Sequence, residues 1–266
     1  MAEPGGADAA LTYTSYLALD EVLGAQRPRS DEHDELLFIV VHQVYELWFK
    51  QLLHEVAHAQ RGLEAHDTAQ ATHALRRILT ILKVVVAQID VLETMTPLEF
   101  LSFRSRLEAA RGFQSDQFRQ IEFMLGRKSR AAIERFPEGS RARQALVERW
   151  GAATVWDAFL AYLEREGYAI PAAQRHRDVT ASLAPDADLQ AVLVSLYRTD
   201  PKNGEVCERL VDLDEGVQEW RYRHVKMVER TIGTKPGTGG SSGAAYLQST
   251  VGAPLFPDLW AIRGVL

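Results

Sequence analysis

One histidine near the C-terminus stands where it could bind a metal or a cofactor. His224 lies in residues 203–232, whose apolar side chains recur mostly three and four positions apart, as on one face of an α-helix. A histidine on an inward helix face is more often a core residue than a ligand, although histidine is the commonest metal ligand. The following loop, residues 237–243, is rich in glycine, serine and threonine. It is either a plain flexible linker or a loop that approaches and covers a flat cofactor.

A second histidine shares a helix face with aromatic residues. Residues 32–65 are apolar nearly all round at their centre, which is typical of a helix buried between others. Within them, Phe38, His42, Tyr45 and Phe49 follow one another at spacings of four, three and four residues. Side chains at these spacings lie on one face of a helix. This second stretch strengthens the case for a binding site.

Composition restricts the class of protein. The chain has 266 residues, 46% of them hydrophobic and 25% charged, as in an ordinary globular protein of one or two domains. The formal net charge of −6 argues against nucleic acid as a partner. Cys207 is the only cysteine, which excludes an intramolecular disulfide and a cysteine-only metal site. No signal peptide and no uninterrupted apolar run of membrane-spanning length occur, so we expect a cytoplasmic protein that does not enter a membrane.

The pattern of apolar residues and breakers predicts one all-α domain. Residues 1–10 are small and polar and are expected to be disordered. Residues 11–266 then form a single helical domain with a core of long antiparallel helices, in which residues 127–184 are a possible small helical subdomain. Helices are predicted over residues 11–26, 32–65, 68–93, 113–126, 129–135, 140–150, 153–165, 186–197 and 203–232, with another starting at residue 97 and a short one in the tail.

Three groups of motifs resemble the tryptophan 2,3-dioxygenase family in content and in order. They are LTYTSYLALDEVL with DELLFIVVHQVYELWFKQLLHE, VLETMTPLEFLSFR with GFQSDQFRQIEF, and WRYRHVKMVERTIG with GTGGSSG. The resemblance extends over about residues 11–266. It implies a haem enzyme, with haem b active in the ferrous state, that inserts both atoms of O2 across the indole C2–C3 bond of L-tryptophan. The product would be N-formylkynurenine, which places the enzyme in tryptophan catabolism.

The resemblance also implies roles for residues on the two sides of the haem. His224 matches the proximal haem ligand and is therefore the expected metal-binding residue. His42 matches the distal histidine, a catalytic residue that faces the indole N–H. Phe38 matches the aromatic side chain that packs on the indole. Arg104 matches the arginine that binds the substrate carboxylate, for which its planar guanidinium is well suited.

Further matches lie around the substrate and the glycine-rich loop. Thr238 is expected to contact the amino-acid end of the substrate. Phe100 occupies a substrate-binding position where some members carry tyrosine. Gly239 and Ser241 are expected to contact the cofactor from a loop that closes over the substrate and excludes water.

The family resemblance implies a homotetramer. Tyr13 and Tyr16 match tyrosines of an N-terminal helix that helps to build the substrate pocket of a neighbouring subunit. The expected partners are thus further copies of the chain, O2, and either L-tryptophan or a substituted tryptophan.

Two other functions remain open at this point. The family usually has a small residue, typically serine, immediately before GFQS, whereas this chain has Arg111. Arg111 is either a solvated arginine or a new cation near the pocket, in which case a related haem monooxygenase could form a 2-oxindole from tryptophan or a substituted tryptophan. A non-catalytic haem-binding or helical interaction protein is the third hypothesis. The presence of both His42 and Arg104 argues against it.

Overall fold

The structure is a computed structural model that describes residues 11–107, 115–233, 235, 248 and 250–266. Within these ranges every regular element is helical and no strand occurs, which confirms the predicted all-α class. Residues 1–10 lie outside the described residues.

The described helices are numbered here in chain order. They are α1 (Tyr13–Tyr16), α2 (Leu19–Leu23), α3 (His33–Glu64), α4 (Thr68–Leu92), α5 (Pro97–Arg104), α6 (Asp116–Met124), α7 (Arg130–Ile133), α8 (Arg141–Trp150), α9 (Val155–Arg165), α10 (Ala172–Arg175), α11 (Ala187–Thr199), α12 (Pro201–Ile232) and α13 (Pro257–Ala261). Short 3₁₀ turns follow α5 at Ser105–Leu107 and α13 at Ile262–Gly264.

The long helices α3 and α4 form an antiparallel pair at the centre of the fold. Two hydrogen bonds fix their alignment: the Tyr45 hydroxyl donates to the Val85 carbonyl at 3.2 Å, and Gln88 Nε2 donates to the Val41 carbonyl at 2.9 Å. As α3 residue numbers rise across these contacts, α4 residue numbers fall. The apolar side chains between the two helices are almost fully buried and form the main core.

The third long helix, α12, lies parallel to α4 and antiparallel to α3. Gly216 faces Leu82, and a Cβ atom at Gly216 would lie only 3.1 Å from the leucine side chain. Two turns further on, Arg223 pairs with Asp90 at 2.5 Å. The absence of a side chain at Gly216 therefore allows α12 to approach α4 closely, which fixes the position of the helix that carries His224.

Two shorter helices, α5 and α6, begin at well-defined caps and pack against α3. Thr96 and Glu99 form a capping box, in which the Thr96 hydroxyl accepts from the Glu99 N–H and the Glu99 carboxylate accepts from the Thr96 N–H. Pro97 occupies the first helical position, as the sequence predicts. Ser115 caps α6 by accepting from the Phe118 N–H at 3.2 Å.

The N-terminal segment differs from its prediction as one helix over residues 11–26. It forms the two short helices α1 and α2, separated at Ala18, whose φ of 49° is left-handed. A left-handed residue cannot continue an α-helix, so the helical direction changes there. Neither helix buries a side chain within the chain.

A buried carboxylate joins α12 to the C-terminal tail. Asp214 is completely buried and accepts hydrogen bonds from the backbone N–H groups of Leu255 and Phe256 and from the Trp260 indole N–H, all at 2.8–2.9 Å. Because a buried carboxylate is stable only when it is hydrogen-bonded, these three donors hold the tail against α12.

Residues 127–184 contribute to two separate apolar clusters. Ala132, Ile133, Phe136 and Leu146 pack with Phe123 in a small cluster of their own. In contrast, α9 belongs to the main core and packs against α3. The assignment of residues 127–184 as a subdomain stays a prediction.

By length and composition, α3 alone among the described helices meets the criteria for a membrane span, which core helices also meet. It carries two buried carboxylates, Glu35 and Glu55, and packs against α4, α5, α6 and α9.

Candidate functional site

The α3 helix determines which nitrogen of His42 carries the proton. His42 Nδ1 lies 2.7 Å from the carbonyl oxygen of Phe38, one turn earlier. A carbonyl oxygen can only accept, so Nδ1 must be the protonated nitrogen of the neutral ring. The Nε2 lone pair of His42 is thereby left as a hydrogen-bond acceptor on a half-buried side chain.

Phe38 lies in an aromatic cluster that joins α3 to α5. Its ring centroid is 4.0 Å from that of His42, 5.9 Å from that of Phe100 and 5.7 Å from that of Phe103. Phe100 and Phe103 pack edge to face with a centroid distance of 5.5 Å. Phe103 is completely buried, whereas Phe38 and Phe100 are half-buried. The buried ring therefore anchors two partly accessible rings, which leaves a flat apolar surface beside His42.

Arg104 is positioned by the same short helix. It is the last residue of α5 and is half-buried. It follows Phe100 by four residues, so the two side chains lie on the same face of α5. Phe100 contacts Phe38, so this face of α5 borders the aromatic cluster.

On α12, His224 is the end of a second chain of aromatic rings. Its imidazole stacks on the Trp220 indole with a centroid distance of 5.0 Å and an interplanar angle of 8°. Trp220 in turn contacts Phe118 of α6 at 4.4 Å and Phe49 of α3 at 6.0 Å. His224 is thus placed by packing that involves three helices.

Electrostatics keeps both histidines neutral at physiological pH. Burial lowers the pKa of His224 to about 4, and positive charge on His42 or Arg119 acts in the same direction. Burial also lowers the pKa of His42 below the ordinary value of 6.5, against opposing contributions from the Phe38 carbonyl and the Glu46 carboxylate. A neutral imidazole is the form that binds a metal.

A buried network of ion pairs joins α6 to α12 three residues before His224. Glu122 of α6 pairs with Arg221 of α12 at 2.7 Å and with Arg119. Burial alone would raise the pKa of the Glu122 carboxyl, but the guanidinium groups of Arg119, Arg221 and Arg127 outweigh it and hold that pKa below its usual value. Arg221 also donates to the Ala253 carbonyl at 3.2 Å. The network ties α6, α12 and the tail together beside the site.

The residues near His224 fit a haem better than a bare metal ion. In the described part of the chain, no group of three or more His, Cys, Asp or Glu side chains could hold a metal ion. A haem iron needs only one strong protein ligand, because the porphyrin supplies its other in-plane ligands. The neutral imidazole of His224 and the adjoining aromatic rings offer that ligand together with an apolar surface.

The structure brings together some of the residues that the sequence predicts and leaves others apart. Phe38, His42 and Phe100 meet in the ring contacts described above, whereas the described ring contact of His224 is with Trp220 on α12. Tyr13 and Tyr16 are 76% and 72% exposed and do not reach this site within the chain. The predicted residues that lie outside the described part of the chain are Arg111, Thr238, Gly239 and Ser241.

Several side chains at the site were not predicted from the sequence. Trp220 precedes His224 by one helical turn in the same apolar stripe, so its spacing could have identified it. Phe103 is recognisable only as one more apolar residue of a short helix. Glu122 and Arg221 are 99 residues apart, and nothing local in the sequence indicates that they pair.

Comparisons with known proteins identify relatives of this chain. A family model described as Tryptophan 2,3-dioxygenase matches residues 3–149 and 152–266. A protein named tryptophan 2,3-dioxygenase from Herpetosiphon aurantiacus is 60% identical over 259 residues, which cover 97% of this chain and 99% of the relative. Proteins of the same name are 57% identical in Anaeromyxobacter sp. (strain K), over 100% of both chains, and 44% identical in Caulobacter vibrioides, over 95% of this chain and 97% of the relative.

Proposed function

Because the chain belongs to the tryptophan 2,3-dioxygenase family, we propose that it holds haem b between His224 and His42 and binds L-tryptophan against Phe38. Enzymes of this family are haem oxygenases that convert L-tryptophan to N-formylkynurenine. The observation that carries the proposal is the pair of neutral histidines on two long helices, each packed against an aromatic ring.

In this proposal the two histidines have different tasks. His224 would hold the haem iron through its imidazole, and the haem would supply the oxygen chemistry. His42 does not bind the iron but orients the substrate. Its Nε2 accepts from the indole N–H, because Nδ1 already donates to the Phe38 carbonyl at 2.7 Å. His42 is thus already in the tautomer that accepts from the indole N–H before the substrate binds.

The aromatic cluster provides the wall against which the indole lies. Phe38 is half-buried and is supported from behind by Phe103, which is completely buried. A supported ring loses little conformational freedom when the indole packs on it, and pairs of aromatic rings prefer offset or tilted contacts. The wall and the His42 acceptor lie one turn apart on α3, so they fix the plane and the rotation of the indole together.

Arg104 binds the carboxylate of the amino acid. A guanidinium matches a carboxylate with two parallel hydrogen bonds, and its position on the Phe100 face of α5 directs it to the side of the indole wall. Thr238 binds the amino-acid end of the substrate, while Gly239 and Ser241 contact the haem from the loop that excludes water. These loop assignments rest on the motif match alone.

The chain acts as a homotetramer in this proposal, with Tyr13 and Tyr16 completing the pocket of a neighbouring subunit. Support comes from the apolar side chains that the single chain leaves exposed. Those of the N-terminal segment and of the α3–α4 pair are Leu11, Tyr13, Tyr16, Leu17, Val22, Leu23, Leu36, Val40, Leu47, Val84 and Val91. These exposed apolar side chains supply surface that a neighbouring subunit would bury. We take the cytoplasm as the location, with no nucleic-acid or membrane partner.

Family membership favours dioxygenation over the 2-oxindole alternative and over a non-catalytic haem protein. From the same family membership we take L-tryptophan as the substrate. No described residue supports a substituted tryptophan, and Arg111, which raised that alternative, lies outside the described part of the chain.

Haem content tests the central assignment of the proposal. We expect the His224→Ala variant to be purified without haem, because the substitution removes the imidazole that would hold the iron. The His176→Ala variant, in which an exposed histidine is removed, is the matched control and should keep full haem content. Full haem content in His224→Ala, with an unchanged absorption spectrum of the ferrous form, would refute the assignment.

A further inference from the structure

The indole of Trp220 has no role in the proposed chemistry, yet it lies parallel to the imidazole of His224. The two rings are one turn apart on α12, with a centroid distance of 5.0 Å and an interplanar angle of 8°. Near-parallel rings at this distance form an offset stack, which is an attractive arrangement. The stack therefore restricts rotation of the imidazole about its Cβ–Cγ bond.

Trp220 is itself held in place from the other side. Phe118 of α6 packs on it at 4.4 Å with an interplanar angle of 39°, and Phe49 of α3 contacts it edge to face at 6.0 Å. Phe49 and Phe118 also contact each other at 5.4 Å. The indole cannot turn without displacing side chains from two other helices.

The described contacts that hold Trp220 are ring contacts. Its Nε1 atom is buried and has no hydrogen-bond partner among the described residues. Among these residues, the indole is therefore held by His224, Phe118 and Phe49 through ring packing.

Orientation matters for a histidine that binds a metal. Groups around a metal ligand fix the plane of its ring, and their loss commonly weakens metal binding even though they never touch the metal. Such groups usually act through a hydrogen bond. A stacked ring can do the same by steric and dispersion contacts alone.

We propose that Trp220 is a positioning residue that fixes the rotation of the His224 imidazole by ring stacking and thereby holds its ligating nitrogen towards the haem iron. This inference rests on the proposed function, in which His224 is the axial ligand.

Two substitutions of Trp220 distinguish the effect of its ring from the effect of its N–H group. Trp220→Phe keeps a flat ring and removes the N–H, whereas Trp220→Leu keeps an apolar side chain and removes the ring. The readouts are the iron–histidine stretching band of the ferrous haem protein in resonance Raman spectra and the rate of haem loss to an excess of apomyoglobin. Tyr222→Leu removes an exposed aromatic residue of the same helix and is the control.

We expect Trp220→Leu to shift or broaden the iron–histidine band and to lose haem roughly two- to tenfold faster, in proportion to the energy of an aromatic pair. Trp220→Phe and Tyr222→Leu should keep the wild-type band and a rate within about twofold of wild type. A wild-type band and rate in Trp220→Leu would overturn the proposal. Equal changes in the leucine and phenylalanine variants would also overturn it, because they would implicate the N–H group or the side-chain volume.

The same experiment distinguishes this inference from the assignment of His224. Loss of the iron–histidine band in His224→Ala supports the ligand assignment whatever the Trp220 variants show, and a retained band refutes it. Should Trp220→Leu fail to fold, Trp220→Met offers an unbranched apolar chain without a ring, and the same criteria apply to it.

Discussion

At the scale of single residues, the hydrogen bond between His42 Nδ1 and the Phe38 carbonyl has the largest consequence for the chemistry. It makes Nε2 an acceptor, so His42 is suited to orient the indole N–H and not to donate to the substrate. A protonated His42 would lose this ability, since both nitrogens would then be donors. The protonation state of His42 therefore determines whether it can bind the indole N–H of the substrate.

A pH profile tests this connection. Burial lowers the pKa of His42 below the ordinary 6.5, so Nε2 remains an acceptor at pH values where an exposed histidine is half protonated. We expect kcat/KM for L-tryptophan to fall on the acid side with a midpoint below pH 6.5, as His42 gains a proton. With 1-methyl-L-tryptophan, which has no indole N–H, this fall should be absent. The same acid limb for both substrates would contradict the role of His42.

Arg104 gives a second prediction at this scale. We expect Arg104→Ala to lower kcat/KM for L-tryptophan by roughly 100-fold, because it removes a pair of charge-assisted hydrogen bonds. For tryptamine, which lacks the carboxylate, kcat/KM should change by less than about threefold. Arg106→Ala, an exposed arginine of the adjoining 3₁₀ turn, is the control and should resemble wild type. Equal losses for both substrates would show that Arg104 supports the fold of the site and not the carboxylate.

At the scale of helices, the position of α12 depends on its contacts with α4 and α6. The pair between Glu122 and Arg221 joins α6 to α12 only three residues before His224, and both side chains are nearly fully buried. Breaking a buried ion pair by neutralising one member is costly, because it leaves the other charge without compensation. The stability of the fold and the placement of the haem ligand are therefore linked through this pair.

We expect Glu122→Gln to lower the free energy of unfolding by about 3 kcal/mol at pH 7, measured by urea denaturation. Glu138→Gln, whose side chain is 90% exposed, should change it by less than about 0.5 kcal/mol.

The pH dependence of stability should also show the contribution of the Glu122 carboxylate. The unfolded chain protonates Glu122 near its usual pKa of 4.5, whereas the folded chain does so only at lower pH. Its stabilising contribution is therefore complete above pH 4.5 and is lost as the pH falls through the lower folded-state pKa. The stability of Glu122→Gln should accordingly decline less steeply below pH 4.5 than that of wild type. Parallel declines would show that Glu122 does not carry this linkage.

The sequence was sufficient for features that are encoded locally. The capping box of Thr96 and Glu99 and the apolar periodicity of α3, α4 and α12 all predict the observed helices. The break at Ala18 was not predicted, because alanine favours a helix and nothing in the local sequence signals a left-handed residue. The pairing of Glu122 with Arg221 is a tertiary contact, and local patterns carry no information about it.

At the scale of the whole molecule, the single chain leaves its N-terminal helices without a partner. Tyr13 and Tyr16 are largely exposed, and α1 and α2 bury no side chain. Composition alone could not predict that α1 and α2 stay exposed, because the N-terminal segment is as apolar as an ordinary amphipathic helix. The proposed roles of these tyrosines came from the family resemblance, and they require a second copy of the chain.

Complementation between two inactive variants tests that requirement. We expect the double variant Tyr13→Ser, Tyr16→Ser to have low activity, because each pocket would lack its neighbour's contribution. A variant with His42→Ala should also be poorly active. Co-expression of the two should restore part of the activity, since mixed oligomers contain some pockets with both intact elements. Activity that never exceeds the sum of the separate variants would contradict a shared pocket.

The central claim is that this site adds both atoms of O2 to L-tryptophan, and product mass under labelled oxygen tests it most directly. The reduced, haem-loaded protein would be given L-tryptophan and ¹⁸O2, and the product analysed by mass spectrometry and absorbance. The account predicts the spectrum of N-formylkynurenine and a mass that contains two labelled atoms. A product with one labelled atom, or no turnover of L-tryptophan until a substituted tryptophan is supplied, would contradict it.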